Sequence, residues 1–131
     1  MPGATKSTPR FRNTEHSSDE SQLKARTMIK VSILYPSKPG NRFDVDYYVQ
    51  THMPMAARLL GSAVKAVSVE IGVSGATPGD PAPFAAIAGF ICESAQAFVE
   101  AFMPVAGQLQ GDIPKYTDIA PLIQFSEIRE I

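Results

Sequence analysis

A chain of 131 residues and 14.1 kDa, 44% hydrophobic and 19% charged, suits one domain with its own core, and no apolar run nears the roughly 20 residues of a membrane span. A net charge of −1 and a pI near 6.1 leave no basic footprint for nucleic acid and no polybasic stripe for a membrane surface, so neither is an expected partner. The lone cysteine, Cys92, excludes an intrachain disulfide, and the N-terminus lacks the apolar segment of a secretory signal, so the expected compartment is the cytoplasm.

Residues 1–27 are rich in Ser, Thr, Lys, Arg and Glu, and their few apolar residues, such as Phe11 and Leu23, show no period. They read as a flexible N-terminal extension, with the folded domain over residues 28–131. The first strand is expected over 29–35, where Ile29, Val31, Ile33 and Tyr35 alternate with Lys30, Ser32 and Leu34. The Pro-Ser-Lys-Pro-Gly run at 36–40 ends it.

A helix follows over 44–61. Asp44 is its N-cap, Phe43 is placed to staple onto Tyr48, and Gly61 is its stop. Tyr48 and His52, four residues apart, share one helical face. Pro54 cannot donate to the carbonyl of Gln50 and crowds it, so a kink or break is expected one turn around His52.

The second strand is expected over 64–73, with Val67, Val69, Ile71 and Val73 on one face and Ser68 and Glu70 on the other. The Gly- and Pro-rich run at 75–83 is a hairpin loop leading to a third strand at 84–92, whose alanines and glycine invite close packing. Ser94 caps a second helix carrying Phe98, Phe102, Val105 and Leu109 on one face, bent at Pro104 and ended by Gly111. A loop over 111–118 precedes a fourth strand at 122–128.

The order βαββαβ defines an α+β, ferredoxin-like fold, a four-stranded antiparallel sheet with two helices on one face. If Ile29, Val31, Ile33, Val67, Val69 and Ile71 meet the helices, the other face carries Leu34, Leu122 and Ile128 among Ser32, Ser68 and Glu70. An apolar sheet face of several hundred Å² exceeds what monomers usually expose. A homodimer is therefore expected, its two sheets closing face to face into a dimeric α/β barrel, with His52 working in the enclosed hollow.

The run Met-Ile-Lys-Val-Ser-Ile-Leu-Tyr-Pro at 28–36, Phe-Asp-Val-Asp-Tyr-Tyr at 43–48, His-Met-Pro at 52–54, the loop at 75–83 and Gly-Asp-Ile-Pro-Lys-Tyr-Thr-Asp-Ile at 111–119 together resemble the EthD family, over residues 28–128. The family takes its name from a gene cluster for ethyl tert-butyl ether degradation. The resemblance implies a ferredoxin-like subunit in a dimeric α/β barrel, a superfamily with small monooxygenases, polyketide cyclases, muconolactone isomerases and haem-degrading enzymes among its members. It carries over His52 and Tyr48 as pocket-lining residues, and Asp112 and Tyr116 from the shared loop.

His52 is the candidate general acid or base, with Tyr48 as the catalytic residue that orients it or donates to a substrate oxygen. The alternative for His52 is a cap on the carbonyl freed by Pro54. Tyr116, Asp112 and Tyr35 are the candidate substrate-binding residues. Against these stand packing roles for Tyr35, Tyr47 and Tyr116 and a turn role for Asp112 and Asp118. Cys92 reads as a buried inert thiol. No metal-ligand spacing is present and the glycines at 72–79 lack a phosphate-loop ending, so no cofactor is expected, with haem on His52 as an alternative. Three functions remain open: a cofactor-independent isomerase, dehydratase, decarboxylase or monooxygenase acting on a small apolar or aromatic oxygenated compound in catabolism, a non-catalytic ligand-binding accessory to a partner oxidase, and a haem-binding protein.

Overall fold

The computed structural model describes residues 27–131, so the expected N-terminal extension lies outside the described residues except for Thr27. Strand β1 (Ile29–Pro36) is followed by helix α1 (45–60), strands β2 (Val64–Ile71) and β3 (Phe84–Cys92), helix α2 (95–115) and strand β4 (Leu122–Glu127). All pairings are antiparallel and the sheet order is β2-β3-β1-β4, the ferredoxin-like arrangement expected from the element order.

The strand faces follow the period-2 pattern. Val31, Ile33 and Tyr35 sit opposite Phe90, Ala88 and Ala86, and opposite them on the far side β4 places Phe125 and Ile123. These residues and Val69 and Ile71 face the helices, and Val31, Ala86 and Ala88 are wholly buried. The other parity puts Leu34, Ile87, Ile91 and Leu122 on the face without helices, among Lys30, Ser32, Ser68, Glu70 and Gln124. The small residues of β3 have a job on both sides. Ala88 keeps the helix side shallow, and an added Cβ at Gly89 would collide with the stem of Lys30, which lies across the bare face beside Ser68.

Helix α1 departs from a simple kink. It runs as an α-turn (Val45–Tyr47), a π-turn (Tyr48–His52) and an α-segment (Met53–Leu60). Asp44 caps it by accepting from the Tyr47 amide at 3.1 Å, Phe43 packs on Tyr48 with centroids 5.0 Å apart, and Gly61 ends it at φ +63°. In the π-turn the Met53 amide reaches the Tyr48 carbonyl, five residues back. Widening the turn just before Pro54 relieves the clash that the ring would make inside a regular helix, and Pro54 then occupies a first-turn position where no N–H is needed.

Helix α2 runs through Ala95–Phe102, a tighter turn at Met103–Val105 and Ala106–Asp112, ending in a 3₁₀ turn at Ile113–Lys115. Ser94 caps it as expected, accepting from the Ala97 amide, and the change of pitch falls at Pro104. Gly111 does not stop the helix. It lacks the positive φ of Gly61, so the chain stays helical through Asp112 where a loop was expected. Strand β2 stops at Ile71, two residues short of the expected end, and leaves Val73 in solvent.

Candidate active site

Two stretches far apart in sequence are clasped together at one end of the helices. The Asp44 amide donates to the Tyr116 carbonyl at 2.7 Å, the Thr117 hydroxyl to the Arg42 carbonyl at 2.6 Å, and the Arg42 guanidinium to the Pro114 carbonyl at 2.8 Å. Asp118 accepts from the Arg42 amide at 2.9 Å and from Asn41, and these bonds hold its carboxyl below the usual range. Asp118 is thus a fastener, and the carboxylate bonded to His52 is that of Asp112. The clasp locks the start of α1 onto the end of α2 and so brings Asp112 to His52.

His52 Nδ1 lies 2.9 Å from Asp112 Oδ2, and both residues are 7% exposed. Among the described residues the imidazole bonds to Asp112 and to no helix carbonyl. The other carboxylate oxygen accepts from the Tyr47 hydroxyl at 2.8 Å, with Lys115 Nζ at 3.6 Å. Burial opposes ionisation of Asp112, yet the hydrogen bonds from His52 and Tyr47, with Lys115 nearby, outweigh it and hold the carboxyl below its ordinary 3.8. An ionised carboxylate only accepts, so Nδ1 carries the proton in this pair and the lone pair of the neutral ring sits on Nε2. The same bond with Asp112 pushes the Tyr47 phenol up.

Around this dyad stand three buried phenols. Tyr35 and Tyr116 bond hydroxyl to hydroxyl at 2.6 Å, and Tyr116 packs against the imidazole with centroids 4.6 Å apart. Tyr48 stacks on His52 at 5.8 Å and 14°. Its hydroxyl is fully buried and has no hydrogen-bond partner among the described residues, a state that costs roughly 1–3 kcal/mol. Burial raises the pKa of all three phenols, so each stays a neutral donor.

Tyr48 and His52 open onto a cavity of about 110 Å³ between the helices and the sheet. Its walls are otherwise almost wholly apolar, with Ala88 and Phe90 from β3, Phe98 and Leu109 from α2 and Ile123 from β4 among them. The hollow at His52 is therefore inside the single chain, on the helix side, whereas the sequence led us to expect it between two bare sheet faces. The parity of β1 decides this, because Ile33 and Tyr35 line the cavity while Leu34 points away.

Of the candidate residues, His52, Tyr48 and Tyr35 line the cavity, while Asp112 and Tyr116 stand one layer behind them. The sequence reading missed Tyr47 and Lys115 as partners of Asp112 and Ala88 as the residue that leaves room for the cavity. No local pattern marks them, since each acts through a contact made in the fold. Burial raises the Cys92 pKa, and the thiol is unpaired. Among the described residues no group of three or more His, Cys, Asp or Glu side chains is placed to hold a metal, and no helix is long and apolar enough to cross a membrane.

Fold and site define a ferredoxin-like α+β domain with a buried Asp–His pair at the edge of an apolar cavity. The EthD domain model matches residues 41–120, a span that runs from one side of the clasp to the other. An EthD-like protein from Ralstonia eutropha JMP134 is 46% identical, with a TM-score of 0.75 over 78% of this chain and 92% of that one. The chain belongs to the EthD family. An EthD family protein from Bacillus halodurans C-125 shares the fold at 18% identity and a TM-score of 0.60, covering 78% of this chain and 99% of its own. A hypothetical protein from Arabidopsis thaliana does so at 17% and 0.52, covering 80% and 91%. A search of curated proteins returns no match.

Proposed function

We propose that this protein is a cofactor-independent acid–base enzyme acting on a small apolar or aromatic oxygenated compound, with His52 moving the proton. The observation that carries this reading is the Asp112–His52 pair, which leaves Nε2 without a partner among the described residues at the wall of an apolar cavity. Tyr48 supplies a hydroxyl for a substrate oxygen, and Asp112 orients the ring without touching the substrate. A purely accessory role in binding needs the cavity but gives no reason for a buried carboxylate behind the imidazole. Haem is disfavoured by size, because about 110 Å³ is below even the roughly 150 Å³ of a cavity that accepts benzene.

The assembly that suits this fold is a two-fold dimer through the helix-free sheet face. Four strands spaced about 4.8 Å apart and rising about 3.3 Å per residue give a face on the order of 400 Å² per subunit. Leu34, Ile87, Ile91 and Leu122 spread across it, and Leu122 is 57% exposed in the single chain. At about 25 cal/mol per Å², pairing such faces stabilises a dimer before association costs are met. The barrel is then structural and each subunit keeps its own cavity. An unpaired buried Cys92 suits a reducing cytoplasm.

The test compares wild type with His52→Gln on a panel of small aromatic and aliphatic oxygenated compounds, with products followed by mass spectrometry. Turnover by wild type that the variant loses while keeping its fold supports the reading. Equal turnover by both proteins removes His52 from the chemistry.

A further inference from the structure

The cavity also restricts what kind of oxygen the ligand carries. Among the described residues no lysine or arginine lines it, so a carboxylate or phosphate would be buried without a countercharge. Among the described residues, the polar side chains on its wall are those of Tyr35, Tyr48, His52 and Gln110. Tyr35 is already engaged with Tyr116 at 2.6 Å, and Gln110 is exposed. Tyr48 is different: its hydroxyl lies near that of Tyr35 but makes no hydrogen bond of good geometry among the described residues. A hydrocarbon would leave that donor as it is, and an anion would face a wall without charge. A neutral oxygen acceptor is the ligand group that completes it.

His52 narrows the class further. A base next to the carbon frame needs an acidic C–H, and a carbonyl acidifies the hydrogens on its neighbouring carbon where an alcohol or ether does not. Resting on the acid–base reading above, we infer that the cavity takes an uncharged ketone, aldehyde or ester, whose C=O accepts a hydrogen bond from Tyr48 and whose α-proton is exchanged by His52 Nε2. In the step, the Nε2 lone pair takes the α-proton and the C–H electron pair becomes the C=C bond. The carbonyl π pair moves onto oxygen, where the Tyr48 hydroxyl holds the developing charge. Return of the proton restores the ketone, so the half-reaction balances without oxidant or reductant. The volume, below that of a cavity that accepts benzene, limits the enclosed carbonyl end to a few heavy atoms.

The experiment uses three probes of one shape, butanone, 2-methyl-1-butene and 2-methylbutanoate, with 2-hexanone and cyclohexanone as longer and bulkier ketones. Binding is read by ligand-observed NMR, and α-proton exchange by loss of the ketone signal in D₂O against a protein-free blank. At least one ketone is expected to bind about tenfold or more tightly than the hydrocarbon and the carboxylate, with exchange above the blank. His52→Gln is expected to keep binding and lose exchange, and Tyr48→Phe to weaken binding and slow exchange about 10–100-fold. Because that hydroxyl makes no hydrogen bond of good geometry among the described residues, Tyr48→Phe should melt no lower than wild type, which separates a lost ligand contact from a lost fold. Ketone binding without exchange overturns the proton transfer, and the acid–base reading with it, and leaves carbonyl recognition standing. No ketone preference in binding, or a preference that Tyr48→Phe leaves intact, overturns carbonyl recognition. Exchange that His52→Gln abolishes would then still stand for the acid–base reading.

Discussion

Asp112 Oδ2 holds His52 Nδ1 at 2.9 Å across 60 positions of sequence, with both side chains withdrawn from solvent. The carboxylate therefore fixes which ring nitrogen is free to act, which makes Asp112 a positioning residue. Asp112→Asn should leave the fold in place but lower turnover by roughly 10²–10⁴-fold, since an amide no longer enforces the tautomer. The ¹⁵N shifts of His52 should show the mixture, and Asp112→Glu should recover part of the rate. Full activity in Asp112→Asn would place the pair outside the mechanism.

The same carboxylate gives the fold an acid-sensitive component. The folded pKa of Asp112 lies below the ordinary 3.8, so its contribution to stability is complete above that value and is lost as pH falls through the lower, folded one. The difference in Tm between wild type and Asp112→Asn should be steady near neutrality and shrink below about pH 4. Thermal melts at half-unit steps from pH 7 to pH 2 measure it. A difference unchanged down to pH 2 would mean that the pair contributes nothing as an ion.

What the sequence made legible was local. Alternation in β1 assigned both faces of the sheet, and the caps at Asp44 and Ser94 set the starts of both helices. Gly61 and Gly111 look alike in sequence but differ in the fold, because only Gly61 takes a positive φ. Pro54 announced an irregularity but not its form, since a π-turn and a kink both accommodate a missing amide. The site itself was half legible. Tyr48 and His52 follow from helical spacing, whereas Asp112 joins them only through the clasp between Asn41–Asp44 and Pro114–Ile119, contacts that no periodicity encodes.

Ala88 sits at the centre of the helix-facing sheet surface, opposite Ile33, and its missing bulk is what the cavity consists of on that side. Ala88→Leu should fill the space. In a close-packed core an added side chain of this size costs about 1–3 kcal/mol, but here the void absorbs it and stability should change by about 1 kcal/mol or less. Ligand binding should be abolished. Denaturant melts and the NMR binding assay report the two effects separately, and a variant that is well folded and still binds would relocate the site.

The helix-free face makes its own prediction. Ile87 lies mid-strand in β3, paired with Leu34 on one side and Glu70 on the other. Ile87→Glu places a charge in the middle of that face without touching the cavity wall. Light scattering should give wild type twice the 14.1 kDa of one chain and the variant one chain's mass. A wild-type mass of a single chain removes the barrel.

Tyr35 and Tyr116 share a hydroxyl–hydroxyl bond at 2.6 Å, with the residues 2% and 0% exposed. Replacing either with Phe strands the other hydroxyl in the core, at a cost of about 1–3 kcal/mol. Replacing both removes the two polar groups together, so the double variant should be destabilised by less than the sum of the singles, with a coupling of about 1–2 kcal/mol. The singles should also differ. After Tyr116→Phe, Tyr35 has the spare hydroxyl of Tyr48 as its nearest alternative partner, while after Tyr35→Phe the Tyr116 hydroxyl has lost the one group it was bonded to. Tyr35→Phe should therefore be the costlier change. Urea melts of the four proteins in the cycle test this, and additive losses would mean that the two phenols are satisfied independently, by solvent reaching a site that is closed to it in this fold.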